Sequence, residues 1–213
     1  MKLGAAIHVT RWAFSVLGAA ALTWCALTWV GAKRYQSREA RRFTKQATVT
    51  TAAPPPHWKP VTPPEGGVVG KLDISRIGVS VVVVQGVGGP ELSHAVGHIP
   101  GTALPGESGN IGLAGHRDTF FRPLRGIRPG DVITLRALHG TYRYRVVSTK
   151  VVSPDDVQVL DPSGGDTLTL VTCFPFYYIG SAPKRFIVRA DRLPAVEEMA
   201  GGISNVQPQS SNF

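Results

Sequence analysis

The segment from Trp12 to Ala32 constrains the fold most strongly, because its 21 consecutive residues include no charged side chain. About 20 apolar residues are enough to cross a bilayer as an α-helix, in which the backbone polar groups bond to one another. Trp12 and Trp29 stand near its ends, where indole rings favour the membrane interface. We therefore predict an N-terminal membrane anchor over residues 1–33. The alternative is a cleaved signal peptide, although its apolar core would be shorter and residues 30–32 form a weak cleavage site.

Positive charge is concentrated around this segment. Residues 1–66 carry nine Lys/Arg and two acids, whereas residues 67–193 carry fourteen and ten. A basic chain raises the question of nucleic-acid binding, but a membrane surface explains charges that flank an apolar helix better. We predict no nucleic-acid partner. The basic residues are more numerous after the segment than before it, which by the positive-inside rule would place the C-terminal side in the cytoplasm.

Composition divides the rest of the chain into three parts. Residues 34–67 are basic and then proline-rich, which predicts a linker that extends by about 3 Å per residue where it adopts polyproline II. Residues 68–193 hold short β-branched runs in close succession, separated by glycine-containing turns and few helices, a pattern typical of a small closed β-barrel. Residues 194–213 are polar and predict a flexible C-terminal tail.

Three reactive residue types lie at or near predicted strands. Cys173 ends the alternating run 167–173, His116 follows a short apolar strand and a glycine, and Arg185 begins the last strand. A thiol, an imidazole and a guanidinium suffice for thiol-based acyl transfer. Cys25 lies inside the apolar segment and cannot easily pair with Cys173. A buried, inert thiol is the alternative for Cys173.

Other chemistries lack their signatures. The histidines are scattered and no C-x-x-C occurs, so we predict neither a metal site nor a cofactor. The glycines at 86, 88 and 89 lack phosphate-loop spacing, and no G-x-S-x-G elbow is present. Asp118 either orients a histidine or pairs with a neighbouring arginine, and the sequence does not make it a triad acid.

Four stretches together resemble the sortases, and within them class D. They are residues 96–106 (Val-Gly-His-Ile-Pro-Gly-Thr-Ala-Leu-Pro-Gly), 113–118 (Leu-Ala-Gly-His-Arg-Asp), 168–173 (Leu-Thr-Leu-Val-Thr-Cys) and 184–189 (Lys-Arg-Phe-Ile-Val-Arg). Each is weak alone, but their order is specific. The resemblance covers residues 68–193 and implies an all-β fold, a closed eight-stranded β-barrel with short helices, preceded here by one transmembrane helix.

The resemblance also implies roles for individual residues. Cys173 would be the nucleophile, His116 the general acid/base and Arg185 the stabiliser of the oxyanion. Arg189 is a rival for the last role, because residues 185 and 189 share one face of a strand. Thr172, His98 and Phe174 are candidate substrate-binding residues. A strand position for Thr172, a structural loop contact for His98 and a cap on the barrel for the aromatic loop 174–178 are the alternatives.

The implied function is that of a membrane-anchored cysteine transpeptidase. It would cleave an LPXTG-like sorting signal between Thr and Gly and transfer the acyl group to an amine of peptidoglycan or pilin. Sorting signals and wall amines lie outside the cytoplasm, so we expect an extracytoplasmic catalytic domain, against the charge count. A cysteine hydrolase on the same scaffold and a non-catalytic envelope-binding module are the alternatives. An L,D-transpeptidase is disfavoured, because Cys173 follows Leu-Val-Thr rather than Ser-His-Gly.

Overall fold

The computed structural model describes residues 2–49, 61–162, 164–178 and 180–194. Eight strands in this part of the chain close into a barrel in the order β1-β2-β3-β4-β7-β8-β6-β5. They are β1 (Val68–Ile74), β2 (Val79–Gln85), β3 (Val96–His98), β4 (Asn110–Ala114), β5 (Val132–Ala137), β6 (Gly140–Val152), β7 (Thr167–Phe174) and β8 (Lys184–Arg192). The predicted all-β, eight-stranded closed barrel is confirmed.

Helical structure within the barrel region is short. The helix α2 spans Gly89–His94, and 3₁₀ turns span Ser75–Ile77, Arg122–Gly126 and Val157–Leu160. Pro90 opens α2, where a missing backbone N–H costs nothing. The 3₁₀ turn at Val157–Leu160 follows Pro154 and two aspartates. It lies over β4, since the Asn110 side-chain amide donates to the carbonyls of Val159 and Asp161.

The barrel is filled by alternate side chains from every strand. Those that are fully buried include Tyr144, Leu72, Ile133 and Leu168, and Phe121, from the loop before a 3₁₀ turn, joins them. Burying each such side chain stabilises the fold by roughly 1.5–3 kcal/mol. Because strand side chains alternate between faces, the residues between them point outward, and the functional groups of a filled barrel must lie on its outer face.

One long helix precedes the barrel. The helix α1 spans Lys2–Val49, and by length and composition its stretch Arg11–Arg41 is able to cross a membrane. The side chains of residues 11–27 are exposed. Residues 34–49, the first part of the predicted linker, are helical because no Gly or Pro interrupts them. Residues 50–60, which hold most of the proline-rich run, and the tail from residue 195 lie outside the described residues.

The C-terminal half of α1 contacts the outside of the barrel. Tyr35 and Ala40 pack against a small cluster formed by Val82, Val84 and Ala95. Gln36 adds two hydrogen bonds: its amide donates to the His94 carbonyl (2.6 Å), and its oxygen accepts from the Val82 N–H (2.8 Å). α1 therefore begins to contact the barrel within four residues of the end of the apolar segment.

Candidate active site

Cys173 lies on β7, the strand with the strongest β-branched and leucine alternation. Leu168 and Leu170 belong to the core, and Thr172 is 2 % exposed. Alternation then turns Cys173 to the outer face, where it is half-buried. Neither Cys25 nor Cys173 forms a disulfide within the described residues. The sequence therefore delivers a thiol to the barrel surface, one residue before the strand ends.

Arg185 lies beside Cys173 on the adjacent strand. β7 and β8 are antiparallel, and their register pairs Cys173 directly with Arg185. Directly opposed residues hold their Cβ atoms about 4.5–5.5 Å apart on one face of the sheet. The Arg185 guanidinium donates through Nη1 to the carbonyls of Ala182 (3.2 Å) and Lys184 (3.1 Å). These bonds hold the guanidinium at the start of β8.

The same register places Arg189 elsewhere. Arg189 pairs with Thr169 on β7 and with Ser148 on β6. It is four residues along the strand from Arg185, about 13 Å at the usual strand rise. Arg189 instead lines an open pocket of about 250 Å³ on the outer face of the barrel, together with Lys150, Asp156 and Thr169. The geometry thus favours Arg185 over its rival.

His116 lies on the other side of Cys173. β4 and β7 are parallel neighbours, and their ladder ends with Ala114 opposite Val171. The Gly115 N–H continues it by donating to the Val171 carbonyl (3.1 Å). Two residues beyond the last pair, His116 is level with Cys173, and its side chain is exposed. Since the strand order is β4-β7-β8, histidine and arginine flank the cysteine from opposite sides.

Two local features fix the histidine loop. The Thr172 hydroxyl donates to the Gly115 carbonyl at 2.7 Å, which ties β7 to the residue before His116. Gly115 itself has no room for a side chain, since a Cβ there would lie 2.8 Å from the ring of the buried Phe121. Thr172 therefore faces the histidine loop from inside the barrel wall, and this contact favours a positioning role over direct substrate contact.

His98 lies inside the structure rather than on a surface. It is 1 % exposed, its Nδ1 is 2.9 Å from Oε1 of Gln85, and its Nε2 is 2.9 Å from the Ala103 carbonyl oxygen. Burial lowers the pKa of His98. Both ring nitrogens have partners within the chain, so the geometry favours a structural loop contact for His98.

An aromatic cluster follows the cysteine. Phe174 is half-buried and packs near Phe176 and Phe186, with ring centroids 6.0 and 6.3 Å away. Beyond it, Tyr177 and Tyr178 are exposed, and each ring lies near an arginine: Arg125 with Tyr177 at 5.5 Å and Arg117 with Tyr178 at 5.8 Å. Alternation along β7 turns Phe174 to the face opposite Cys173, with Phe186, so the geometry favours a cap on the barrel end for this ring.

Arg117 bonds to the loop after Cys173, a contact that the sequence alone does not predict. Its Nη2 donates to the carbonyls of Tyr178 and Gly180, each at 2.8 Å. It therefore joins the loop that carries His116 to the loop that follows Cys173. Its position directly after the histidine was the available signal, but the sequence suggested only an ion pair with Asp118.

Comparisons with known proteins agree with this arrangement. A family profile described as Sortase domain matches residues 72–193. Sortase D of Bacillus subtilis (strain 168) is 37% identical over 132 residues, which are 62% of this chain and 67% of that protein. Sortase SrtE1 of Streptomyces coelicolor is also 37% identical, over 49% of this chain and 35% of that longer protein.

Solved structures lead to the same group. Sortase D5 transpeptidase of Clostridium perfringens superposes with a TM-score of 0.60 at 27% identity, covering 76% of this chain and 98% of that one. Sortase A from Corynebacterium diphtheriae gives a TM-score of 0.57 at 31% identity, over 61% and 62% of the two chains. Because the profile spans more than half of the sequence and the barrel matches the same proteins, this chain belongs to the sortase family of cysteine transpeptidases.

Proposed function

We propose that this chain is a membrane-anchored sortase that cleaves an LPXTG-like sorting signal between Thr and Gly through a thioacyl intermediate on Cys173. The acyl group is then transferred to an amine of the cell envelope. The observation that carries the proposal is the strand order β4-β7-β8, which sets His116 and Arg185 on either side of Cys173. A thiol, a proton carrier and a fixed cation then meet at one end of the barrel wall.

The first half-reaction forms a thioester. The Cys173 thiolate attacks the threonine carbonyl carbon, and the oxygen takes up the negative charge. Arg185, a cation at every physiological pH, stabilises that charge from its position opposite the thiol. The C–N bond to glycine then breaks, and His116 gives its proton to the departing amine.

The second half-reaction reverses the proton transfer. The acceptor amine attacks the thioester carbon, His116 takes its proton, and the C–S bond breaks to release the thiolate. One imidazole serves both halves because it can give a proton in the first and take one in the second. Splitting amide exchange into two thiol-mediated steps avoids direct attack of one amine on an unactivated amide.

Substrate recognition is proposed for the outer face around the thiol. Phe174, on the opposite face of β7, supports this surface from behind through its contacts with Phe176 and Phe186. Thr172 acts on this surface indirectly, through the Gly115 carbonyl. His98 instead holds the loop at Ala103, whose N–H bonds to Asn110 at the end of β4 farthest from Cys173. A sortase C of Clostridium perfringens has been solved with the C-terminal cell wall sorting motif. Its chain matches this one with 28% identity and a TM-score of 0.57, which supports the same class of substrate here.

The proposed location is the cytoplasmic membrane, with α1 as a single-pass anchor and the barrel on the extracytoplasmic side. The apolar stretch of α1 has the length for a span. Sorting signals and the amines of peptidoglycan or pilin are found outside the cytoplasm. This outweighs the positive-inside rule, by which the larger number of basic residues after the helix would place the barrel inside. Protease treatment of spheroplasts tests the orientation: the barrel should be degraded from outside, and a fully protected barrel would reverse the assignment.

The activity is tested with the full chain in a nonionic detergent, beside Cys173→Ala. Each is mixed with an LPXTG-type peptide, with and without an amine such as triglycine, and examined by intact mass. We expect an acyl adduct on the wild type alone, and a ligated peptide only when amine is present. Cleavage without ligation would indicate the hydrolase. If the wild type and Cys173→Ala gave the same mass spectra, with no adduct from any peptide of a sorting-motif library, the chain would be a non-catalytic module.

A further inference from the structure

The juxtamembrane part of α1 has two different faces. Tyr35, Gln36, Glu39 and Ala40 are partly buried, and three of them contact the barrel or its cluster. Lys33, Arg34, Ser37, Arg38 and Arg41 are exposed. At 100° per residue the two sets lie on opposite sides of the helix. The barrel therefore covers one face and leaves the basic face open.

The basic face forms a shallow groove. Its lining is Val30, Lys33, Arg34, Ser37, Arg38 and Arg41, around an open volume of about 330 Å³. The lining combines an apolar residue at the membrane end, a hydroxyl in the middle and arginines along its length. Arginine presents a planar fork of donors that matches phosphate oxygens.

The distance of this groove from the apolar segment indicates which ligand its arginines can reach. At about 1.5 Å per residue, Arg34 lies roughly 3 Å, Arg38 roughly 9 Å and Arg41 roughly 14 Å beyond Ala32. The polar layer of one leaflet is about 5–8 Å thick. Side chains on a helix lean toward its N-terminus, which here is the bilayer, and arginine is long enough to reach back.

We propose that the basic face of α1 binds anionic phospholipid headgroups while its opposite face holds the barrel against the membrane. The inference rests on the proposed anchoring by α1 and assigns a ligand to a surface outside the active site. It also accounts for the basic flank after the helix: these cations bind lipid phosphate, instead of determining which side the barrel occupies. Gln36, within the same two turns, then fixes the barrel at the bilayer surface.

The test compares lipid retention by the full chain. The protein is purified in an uncharged detergent, supplied with equal amounts of phosphatidylglycerol and phosphatidylcholine, and the lipids that remain bound are counted by native mass spectrometry. The variant is Arg34→Gln/Arg38→Gln/Arg41→Gln. The control, Arg122→Gln/Arg128→Gln/Arg145→Gln, removes the same charge from exposed positions on the barrel.

We expect the wild type and the barrel control to retain more phosphatidylglycerol than phosphatidylcholine. In the α1 variant the ratio of retained phosphatidylglycerol to phosphatidylcholine should fall by about ten-fold or more. Equal retention of both lipids by the wild type, or an equal loss in both variants, would overturn the proposal. Co-flotation with vesicles of phosphatidylcholine alone is measured in parallel. A wild type that does not float contradicts the anchoring itself, whereas one that floats without lipid preference contradicts only the headgroup site.

Discussion

Two of the three arginines on β8, Arg185 and Arg189, give the sharpest prediction, because the side chains are chemically identical but pair with different residues of β7. Arg185→Gln removes the cation opposite Cys173, and Arg189→Gln removes one whose Cα pairs with Thr169 instead. Glutamine keeps polar donor atoms and removes the charge in both. Any difference in activity then reports position along the strand.

The expected magnitude follows from the role of an oxyanion donor. Loss of one such donor costs about 10²–10³ in rate, or about 2.7–4 kcal/mol of transition-state stabilisation. We expect this for Arg185→Gln. Arg189 is about 13 Å along the strand, so its loss should change the rate by less than about three-fold. Arg185→Lys should give an intermediate rate, since it keeps the charge and loses the planar fork.

The measurement is the rate of acyl-adduct formation at saturating peptide, followed by quenched intact mass. Urea unfolding of each variant serves as control, and little change is expected because the Arg185 bonds are local, to Ala182 and Lys184. An Arg189→Gln variant as impaired as Arg185→Gln would refute the argument from register. So would an Arg185→Gln variant that kept a third or more of the wild-type rate.

Three further predictions concern the supports of the site and the fold. Thr172→Val should slow acylation at saturating peptide, because it removes the hydroxyl that bonds β7 to the Gly115 carbonyl. Thr172→Ser keeps the hydroxyl and should acylate at close to the wild-type rate. Equal rates for the two variants would argue against a role for this hydrogen bond. Gly115→Ala should lower the free energy of unfolding by about 1–3 kcal/mol through its clash with Phe121, measured by urea titration, and no destabilisation would contradict the packing. Asp131 has its pKa lowered below 3.8, first by the hydrogen bond from Arg76 and also by the Arg128 N–H, so the stability it contributes is present above pH 3.8 and is lost as the pH falls through its folded pKa. Asp131→Asn should therefore lower the free energy of unfolding at pH 7 by only about 1 kcal/mol, since Arg76 is solvent-accessible. Below pH 4 the free energy of unfolding of the variant should fall less steeply with pH than that of the wild type. An unchanged pH dependence below pH 4 would exclude the Arg76–Asp131 pair as its source.

Much of the architecture could be predicted because it depends on local patterns. The alternation in residues 167–173 placed Cys173 at the end of a strand, and the glycine before His116 marked a strand end. The density of short strands indicated a closed barrel, which the structure confirms. Each of these inferences needs only neighbouring residues and the two-residue repeat of a strand.

Other features depend on contacts between distant segments. His98 and its partner Gln85 are thirteen residues apart, and only folding shows that they are buried together. The helix that continues past residue 33 is held to the barrel by Gln36, through atoms 46 and 58 residues away. No local pattern encodes such pairings, because they depend on which surfaces meet after the barrel closes.

Residue patterns alone predict an apolar helix, a closed barrel of short strands, and a thiol, an imidazole and a guanidinium at strand ends. That β7 lies between β4 and β8, so that His116 and Arg185 flank Cys173, is visible only once the barrel has closed. The same holds for the pairing of Cys173 with Arg185 and not with Arg189. The physical reason is register: a strand's repeat assigns each side chain to a face, whereas inter-strand hydrogen bonding assigns it a neighbour.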